Sequence, residues 1–193
     1  MKEKYLETIK AVDGVLYNLE YHQKRYSDVV NSLGSGKVKN LAEYLCPPKK
    51  GFYRCRLVYD TQDIFVEYYP YEPKKVKSLK LVYDDTIEYT KKSTDRTAID
   101  ALYALKGEAD DILIVKNAYV SDTSIANIAF FKDGVWYTPK NPLLKGTTRA
   151  RLLDEGVIVE EEITVDMLEK YSKVALFNAM IDFTQLPKCE FLI

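Results

Sequence analysis

The sequence predicts a mixed α+β fold, and three observations support this prediction. Strand-like and helical patterns alternate along the chain, and Asp-Gly pairs mark hairpin turns between antiparallel strands. The Gly-rich strand-to-helix turn of a dinucleotide fold does not occur. With 193 residues, 47% of them hydrophobic, the chain is long enough to bury a core in one large domain or two small ones.

The first half of the chain begins with a hairpin and a helix. Asp13-Gly14 separates the strand-like runs Tyr5–Val12 and 15–19, and this pair is a strong signal for a two-residue hairpin turn. The pattern then changes to helical spacing over 21–33 and ends at Gly34-Ser35-Gly36, as is typical of a helix C-terminus. The other elements predicted here are a short helix over 39–45, stopped by Pro47-Pro48, and strands over Phe52–Tyr59, 64–71 and 79–83.

The second half alternates helix and strand. We expect Asp95 to cap a helix that runs through Leu105 and is closed by Gly107, and Asp133-Gly134 to form a second hairpin turn. The strands predicted here are Asp111–Lys116, 125–131, 135–138, 157–163 and, as the last buried strand, 174–181. The helices begin at Gly146-Thr147-Thr148, running to Leu153, and over 165–171.

Prolines and the lysine-rich run 74–77 interrupt the strand pattern near the middle of the chain. Such a break is typical of a domain boundary. The sequence therefore predicts a small α/β domain over residues 1–77 and a larger domain over 78–193, with a mixed, barrel-like sheet in the larger one.

Composition excludes several classes of function. The 28 basic and 29 acidic residues nearly cancel, so no global basic surface for nucleic acid is expected. The start is charged and no apolar run approaches a membrane span, so we expect a cytoplasmic protein. Cys46, Cys55 and Cys189 are widely separated and lack metal-ligand spacing, which predicts buried free thiols and no metal.

The segment from residue 91 to 127 carries the strongest chemical signal. Lys91 and Lys92 stand in KKSTDR, and Asp122 follows in YVSDTSIAN. A lysine that forms a Schiff base and a carboxylate that faces a pyridine nitrogen are the minimum equipment of a pyridoxal phosphate site. The alternatives are a solvated basic pair before a helix and an Asx-turn at Ser121-Asp122-Thr123.

These motifs belong to an ordered series, ETIKAVDG, YHQKR, KKSTDR, VSDTSIANI, YTP, LLKGTTR and FNAM. In that order they resemble the class IV aminotransferase family, the fold-type-IV pyridoxal phosphate enzymes. The resemblance covers nearly the whole chain. It implies pyridoxal 5'-phosphate as cofactor, a small amine or amino acid as substrate, and a homodimer.

The resemblance also implies roles for individual residues. Lys92 is the cofactor lysine, since the family lysine stands three residues before an Asn or Asp and Asp95 satisfies that spacing. Asp122 takes the place of the Glu that faces the pyridine nitrogen, one methylene shorter. Arg25 reaches the cofactor phosphate, for which the planar guanidinium is well suited. His22, three residues earlier, is implied to be a structural neighbour.

Thr147 and Thr148 are implied to hold the phosphate, because free N–H groups at a helix start favour an anion. The alternative is a simple N-cap pair. Asn178 and Ala179, in FNAM, resemble the last active-site strand of the lyase members, and the short length also favours 4-amino-4-deoxychorismate lyase of folate biosynthesis. The alternatives are a D-amino acid or branched-chain aminotransferase, and a non-catalytic relative that kept the fold. Family members begin with an additional segment before the hairpin, so we expect a trimmed small domain.

Overall fold

The computed structural model describes residues 3–34 and 36–192, so Ser35 of the predicted helix end lies outside the described residues. The chain divides into two compact units. The first runs to Pro73 and also includes Lys91–Asp95, whereas the second comprises Lys74–Thr90 and the chain from Arg96 onward. The predicted division into a domain over residues 1–77 and a domain over residues 78–193 remains a prediction.

The first unit is an antiparallel sheet covered on one face by a helix. Along β1 every second side chain is buried, the pattern of a strand with one face toward a core. Buried residues of α1, including Tyr26, Val29 and Val30, pack against that face. The sheet order is β2-β1-β3-β4, with β1 Tyr5–Val12, β2 Val15–Leu16, α1 Leu19–Ser32, a 3₁₀ helix Leu41–Tyr44, β3 Phe52–Tyr59 and β4 Ile64–Pro70.

The segment Lys91–Asp95 pairs with β1 despite its distance in sequence. The Leu6 N–H donates to the Lys92 carbonyl at 2.9 Å, and the Thr94 N–H donates to the Lys4 carbonyl at 2.8 Å. Tyr5 and Ser93 form an antiparallel bridge between these two bonds. The backbone of Lys92 is therefore fixed to the start of β1.

The second unit contains two mixed sheets, in the orders β10-β9-β8-β11-β12 and β13-β5-β6-β7. A buried apolar cluster that includes Leu79, Leu113, Ile128 and Leu176 joins the two sheets. The elements are β5 Ser78–Tyr83, α2 Thr97–Tyr103, β6 Asp111–Lys116, β7 Tyr119–Thr123, β8 Asn127–Lys132, β9 Val135–Pro139, α3 Thr147–Asp154, β10 Ile158–Glu161, β11 Lys173–Asn178, β12 Asp182–Leu186 and β13 Glu190–Leu192, with 3₁₀ helices Ala104–Lys106 and Val165–Lys170.

The structure confirms the mixed α+β class and both predicted hairpins, whose turns at Asp13-Gly14 and Asp133-Gly134 have positive φ at each residue. It corrects three other predictions. The N-cap of α2 is Arg96 and not Asp95, because the helix starts at Thr97, two residues after Asp95. The strands β7, β12 and β13 were not predicted, and the buried strand β11 ends at Asn178, before the predicted residue 181. Residues 165–170 form a 3₁₀ helix.

The three cysteines differ in environment. All are free, as predicted, but only Cys55 is buried, whereas Cys46 is exposed and Cys189 is partly exposed. The prediction of three buried thiols was therefore wrong for two of them. Within residues 3–34 and 36–192, His, Cys, Asp and Glu form no cluster of three that could hold a metal ion. Over the same residues, the structure has no helix of the length and apolarity needed to span a membrane.

Candidate active site

In the first unit, the carboxylate of Glu7 is the centre of a buried polar cluster. Its Oε1 accepts from Arg25 Nε at 2.8 Å and its Oε2 accepts from Arg25 Nη2 at 2.5 Å. His22 Nδ1 lies 2.6 Å from Oε2. The alternation of β1 turns Glu7 toward the core, and His22 and Arg25 share one face of α1 because they are three residues apart.

The charges in this cluster are well defined. Burial alone would raise the pKa of Glu7, but the Arg25 charge and the hydrogen bonds from His22 and Arg25 outweigh it and lower that pKa to about 2. Glu7 is therefore an anion. Burial lowers the pKa of His22, although Glu7 acts in the opposite direction. The lowered pKa favours the neutral imidazole. A neutral ring bonds to a carboxylate only through its N–H, so Nδ1 carries the proton.

Lys92 is half-buried and belongs to the same unit as this cluster. Its charge, with that of Arg25, helps to lower the pKa of His22, so both predicted cofactor cations act on one buried imidazole. Neighbouring Lys91 lies over the ring of Tyr5, with Nζ 5.9 Å from the ring centroid. The two lysines are therefore not equivalent surface charges.

Glu7 was not among the predicted site residues. The signal for it was present in the sequence, because Glu7 occupies an inward position of a strand whose other inward residues are Tyr5, Ile9 and Ala11. A charged side chain at a core position requires a partner of opposite charge. The sequence around Glu7 does not show which residue supplies that charge, because the partner is brought to Glu7 by the fold.

In the second unit, Asp122 lies on β7, so the Asx-turn alternative is wrong. The turn that follows β7 is instead formed by Thr123, whose hydroxyl accepts from the Ala126 N–H at 3.0 Å. Asp122 is 5% exposed. Its Oδ1 accepts from Asn127 Nδ2 at 2.8 Å, and its Oδ2 accepts from the Leu144 N–H at 3.0 Å.

Burial raises the pKa of Asp122 to about 6, since the bonds from Leu144 and Asn127 and the charge of Arg149 offset it only in part. Arg149 itself donates through Nη2 to Glu160 at 2.7 Å and to the Pro139 carbonyl at 3.0 Å. The Asp122 carboxylate therefore lies at the edge of ionisation near neutral pH.

Thr147 and Thr148 are the first two residues of α3 and both are buried. The N-cap is Gly146, so the alternative in which the threonines form an N-cap pair is wrong. Glycine has no side chain to bond the first N–H groups of the helix. The start of α3 thus combines N–H donors with two hydroxyl side chains, a donor set that fits a phosphate.

Asn178 ends β11, and its side chain is engaged in local structure. Its Oδ1 accepts from the N–H groups of Met180 at 2.9 Å and Ile181 at 3.1 Å, and its Nδ2 donates to the Ile125 carbonyl at 3.2 Å. Asn178 therefore ties the end of β11 to the loop after Asp122. Ala179 lies half-buried in the turn that follows β11.

The predicted site residues thus fall into two groups. Arg25 and Lys92 lie in the first unit, around Glu7 and His22. The others lie in the second unit, where Asn127 and Leu144 connect Asp122 to the segment that opens α3. Their roles toward a cofactor stay predictions.

Comparison with known proteins places this fold and these residues in one family. The model of the amino-transferase class IV family matches residues 4–189, and the chain belongs to that family. An uncharacterised protein of Haemophilus influenzae is 35% identical over 180 residues, which cover 90% of this chain and 96% of that protein. A candidate aminodeoxychorismate lyase of Schizosaccharomyces pombe is 28% identical over 202 residues, which cover 93% of this chain and 87% of that protein.

Solved structures agree with this assignment. The crystal structure of a candidate 4-amino-4-deoxychorismate lyase from Haemophilus somnus matches with a TM-score of 0.86 at 34% identity, over 93% of this chain and 97% of that chain. The branched-chain amino acid aminotransferase of Escherichia coli matches with a TM-score of 0.74 at 15% identity, over 97% of this chain and 76% of that chain. The second likeness concerns the fold alone.

Proposed function

We propose that this protein is a pyridoxal 5'-phosphate-dependent lyase that converts 4-amino-4-deoxychorismate to 4-aminobenzoate and pyruvate. The observation that carries the proposal is the buried Asp122 carboxylate, hydrogen-bonded to Leu144 three residues before the start of α3. This bond connects a carboxyl group suited to a ring nitrogen with the segment that leads into a helix start suited to a phosphate. The choice of lyase follows the name given to the 34% identical Haemophilus somnus protein.

The donor set fits the cofactor. When bound, pyridoxal phosphate supplies an electron sink that stabilises negative charge on the substrate carbon. Asp122 would hold a proton at the ring nitrogen, for which its raised pKa of about 6 is well matched. Thr147 and Thr148 would donate to the phosphate from the start of α3.

Arg25 would contribute to phosphate binding through a geometry that Glu7 constrains. A guanidinium has five N–H donors, and Glu7 takes the Nε donor and one donor of Nη2. Glu7 thereby sets the plane of the guanidinium.

Lys92 would attach the cofactor through Nζ and, after displacement by the substrate amine, accept the proton from the ring carbon that bears the amine and deliver it to the departing enolpyruvyl group, which leaves as pyruvate. Its backbone bond to Leu6 fixes the point from which the side chain extends. We further propose a homodimer, as the family resemblance implies, and a location in the cytoplasm.

The test begins with cofactor attachment. The protein is reconstituted with pyridoxal phosphate, reduced with borohydride and digested, and the peptide that carries the added mass is identified. We expect the label on Lys92 and none in Lys92→Ala. Lys91→Ala is the matched control, since it removes the adjacent lysine and leaves the proposed attachment point.

The second stage supplies 4-amino-4-deoxychorismate and follows 4-aminobenzoate by its fluorescence. Product formed by the native protein and by Lys91→Ala, and lost in Lys92→Ala, supports the lyase. A labelled protein without product, but with transfer from an amino acid to a keto acid, identifies an aminotransferase instead. A protein that takes up the cofactor and turns over no amine is the non-catalytic relative.

A further inference from the structure

Asn127 is a buried polar residue at the start of β8 that none of the proposed roles uses. Its Nδ2 donates to Asp122 Oδ1 at 2.8 Å and to the Leu144 carbonyl at 2.9 Å. One side-chain amide thus contacts the carboxylate of one segment and the backbone of another.

Leu144 completes a closed arrangement. Its N–H donates to the other carboxylate oxygen, Asp122 Oδ2, at 3.0 Å. The backbone of Leu144 is therefore held on both its N–H and its carbonyl by the pair Asp122 and Asn127. Each oxygen of Asp122 has a donor from the protein, and both donors are neutral.

Gly146 shows how closely Asn127 approaches the start of α3. A Cβ at Gly146 would lie 2.1 Å from Asn127 Oδ1, far inside van der Waals contact. The absence of a side chain at Gly146 is thus what leaves room for the Asn127 amide. The same side chain bonds Asp122 and packs against the N-cap of the helix that carries Thr147 and Thr148.

We propose that Asn127 is a positioning residue that holds the Asp122 carboxylate and the segment from Leu144 to Gly146 in one arrangement. It thereby sets both the group assigned to the pyridine nitrogen and the start of the helix assigned to the phosphate. The inference rests on the proposed function for the meaning of these two groups. The contacts of Asn127 stand independently of it.

The shorter side chain at position 122 gives this role a physical reason. Aspartate reaches one methylene less far than glutamate and has one rotatable bond fewer, so a displacement of its carboxylate is harder to correct by rotating the side chain. Removal of the Asn127 amide would leave Asp122 Oδ1 and the Leu144 carbonyl without that donor. A buried carboxylate that loses a hydrogen bond becomes harder to ionise.

The first experiment uses the cofactor-free protein, with Asp122 titrated by carbon NMR of its carboxyl group. In Asn127→Ala we expect the pKa of Asp122 to rise by about one unit. Thr138→Val is the matched control, because Thr138 is buried one strand away and its hydroxyl donates to the Ile128 carbonyl. If the alanine variant does not fold, Asn127→Ser replaces it, with a smaller rise expected. An unchanged pKa of Asp122 in the folded variant overturns the proposal.

The second experiment measures affinity for pyridoxal phosphate by absorption titration. Loss of Asn127 disturbs both the carboxylate and the helix start, so we expect affinity to fall about tenfold or more, with no such fall in Thr138→Val. A shifted Asp122 pKa with undiminished cofactor affinity overturns the role toward the helix start. If the native protein takes up no cofactor, the proposed function fails, and the Asp122 titration alone decides for or against Asn127 as the residue that holds Asp122.

Discussion

Glu7 of the first unit and Asp122 of the second are both buried carboxylates with a donor on each oxygen, yet their pKa values shift in opposite directions. The pKa of Glu7 is lowered to about 2 and that of Asp122 is raised to about 6. Glu7 meets the guanidinium of Arg25 directly, at 2.5 and 2.8 Å. Asp122 accepts from an amide side chain and a peptide N–H, and the charge of Arg149 acts on it without a hydrogen bond among those that the structure gives for its carboxylate.

In this pair of residues, the hydrogen bonds to Asp122 do not offset the desolvation of its carboxylate, whereas direct contact with the Arg25 guanidinium offsets that of Glu7. The two carboxylates suit different tasks for this reason. Glu7 is a permanent anion that can hold Arg25 in place. Asp122 can exchange a proton near neutral pH, which its proposed role requires.

The largest expected effect comes from removing the cation of the first unit. In Arg25→Ala, Glu7 remains buried without its main counter-charge, so we expect the free energy of unfolding of the cofactor-free protein to fall by about 3–5 kcal/mol at pH 7. Urea denaturation measures the loss. Lys24→Ala is the control, since Lys24 precedes Arg25 on α1 but forms an exposed pair with Asp28 and should matter little. A similar, small loss in both variants would show that Glu7 does not depend on Arg25.

This prediction also affects how Arg25 is tested as a phosphate ligand. A weaker cofactor affinity in Arg25→Ala combines the lost phosphate contact with the disturbed Glu7 cluster. Arg25→Lys keeps a cation near Glu7 without the planar two-point contact. It should therefore retain more stability than the alanine variant while still losing cofactor affinity.

The pH dependence of stability provides the next test, with opposite signs for the two carboxylates. The folded-state pKa of Glu7 is depressed from 4.5 to about 2, so its contribution is present above about pH 4.5 and lost as pH falls toward 2. The folded-state pKa of Asp122 is raised from 3.8 to about 6, so its contribution is favourable below about pH 4 and lost as pH rises through 6. Each shift of about 2 units corresponds to about 3 kcal/mol.

The measurement compares unfolding free energies of native protein, Glu7→Gln and Asp122→Asn across pH. Relative to Glu7→Gln, the native protein should gain stability with rising pH. Relative to Asp122→Asn, it should lose stability between pH 4 and pH 7. Each substitution also alters hydrogen bonds, which adds a pH-independent amount to the difference in unfolding free energy. That amount does not change how the difference varies with pH. If both differences in unfolding free energy changed in the same direction with rising pH, the contrast between Glu7 and Asp122 would be contradicted.

A smaller effect should follow from displacing the neutral donor of Asp122. In Gly146→Ala the new Cβ meets Asn127 Oδ1 at 2.1 Å, and the two bonds of the amide restrict its retreat. We expect a loss of about 1–3 kcal/mol in the free energy of unfolding. In an Asn127→Ala background the clash is absent, so the same substitution should cost much less. Equal costs in both backgrounds would mean that Asn127 is not the contact that excludes a side chain at Gly146.

Local signals predicted a large part of the fold. The Asp-Gly turns, the helical spacing of α1 and the β-branched run of β6 depend on near neighbours, which the sequence displays directly. The strand β7 escaped prediction because four of its five residues are buried and no polar–apolar alternation marks it. The pairing of Lys91–Asp95 with β1 also has no local signature, since it joins distant parts of the chain.

The candidate site follows the same division. Motif order pointed to Lys92, Arg25 and Asp122, whose roles stay predictions. The residues that hold two of them, Glu7 and Asn127, emerge only when strands are placed against other elements. Residue types alone do not show that Asn127 bonds Asp122, five residues earlier, and also Leu144, seventeen residues later.

The smallest expected effect comes from backbone strain in two turns, which should change the free energy of unfolding without changing the pKa of either carboxyl group. The turn Asn117-Ala118, which leads into β7, has φ of 51° and 68°, as the turn Asp13-Gly14 of the first unit has 48° and 84°. Alanine is strained in the left-handed region, so Ala118→Gly should raise the free energy of unfolding by about 1 kcal/mol. Gly14→Ala should lower it by a similar amount, because its Cβ would meet Lys49 Cα at an ordinary 3.7 Å and only backbone strain is added. Urea denaturation measures both changes, and carboxyl titration should show the pKa values of Glu7 and Asp122 unmoved. If Ala118→Gly does not raise the free energy of unfolding, or if it shifts the pKa of Asp122, the turn before β7 contributes to the site and is not merely a locally strained turn.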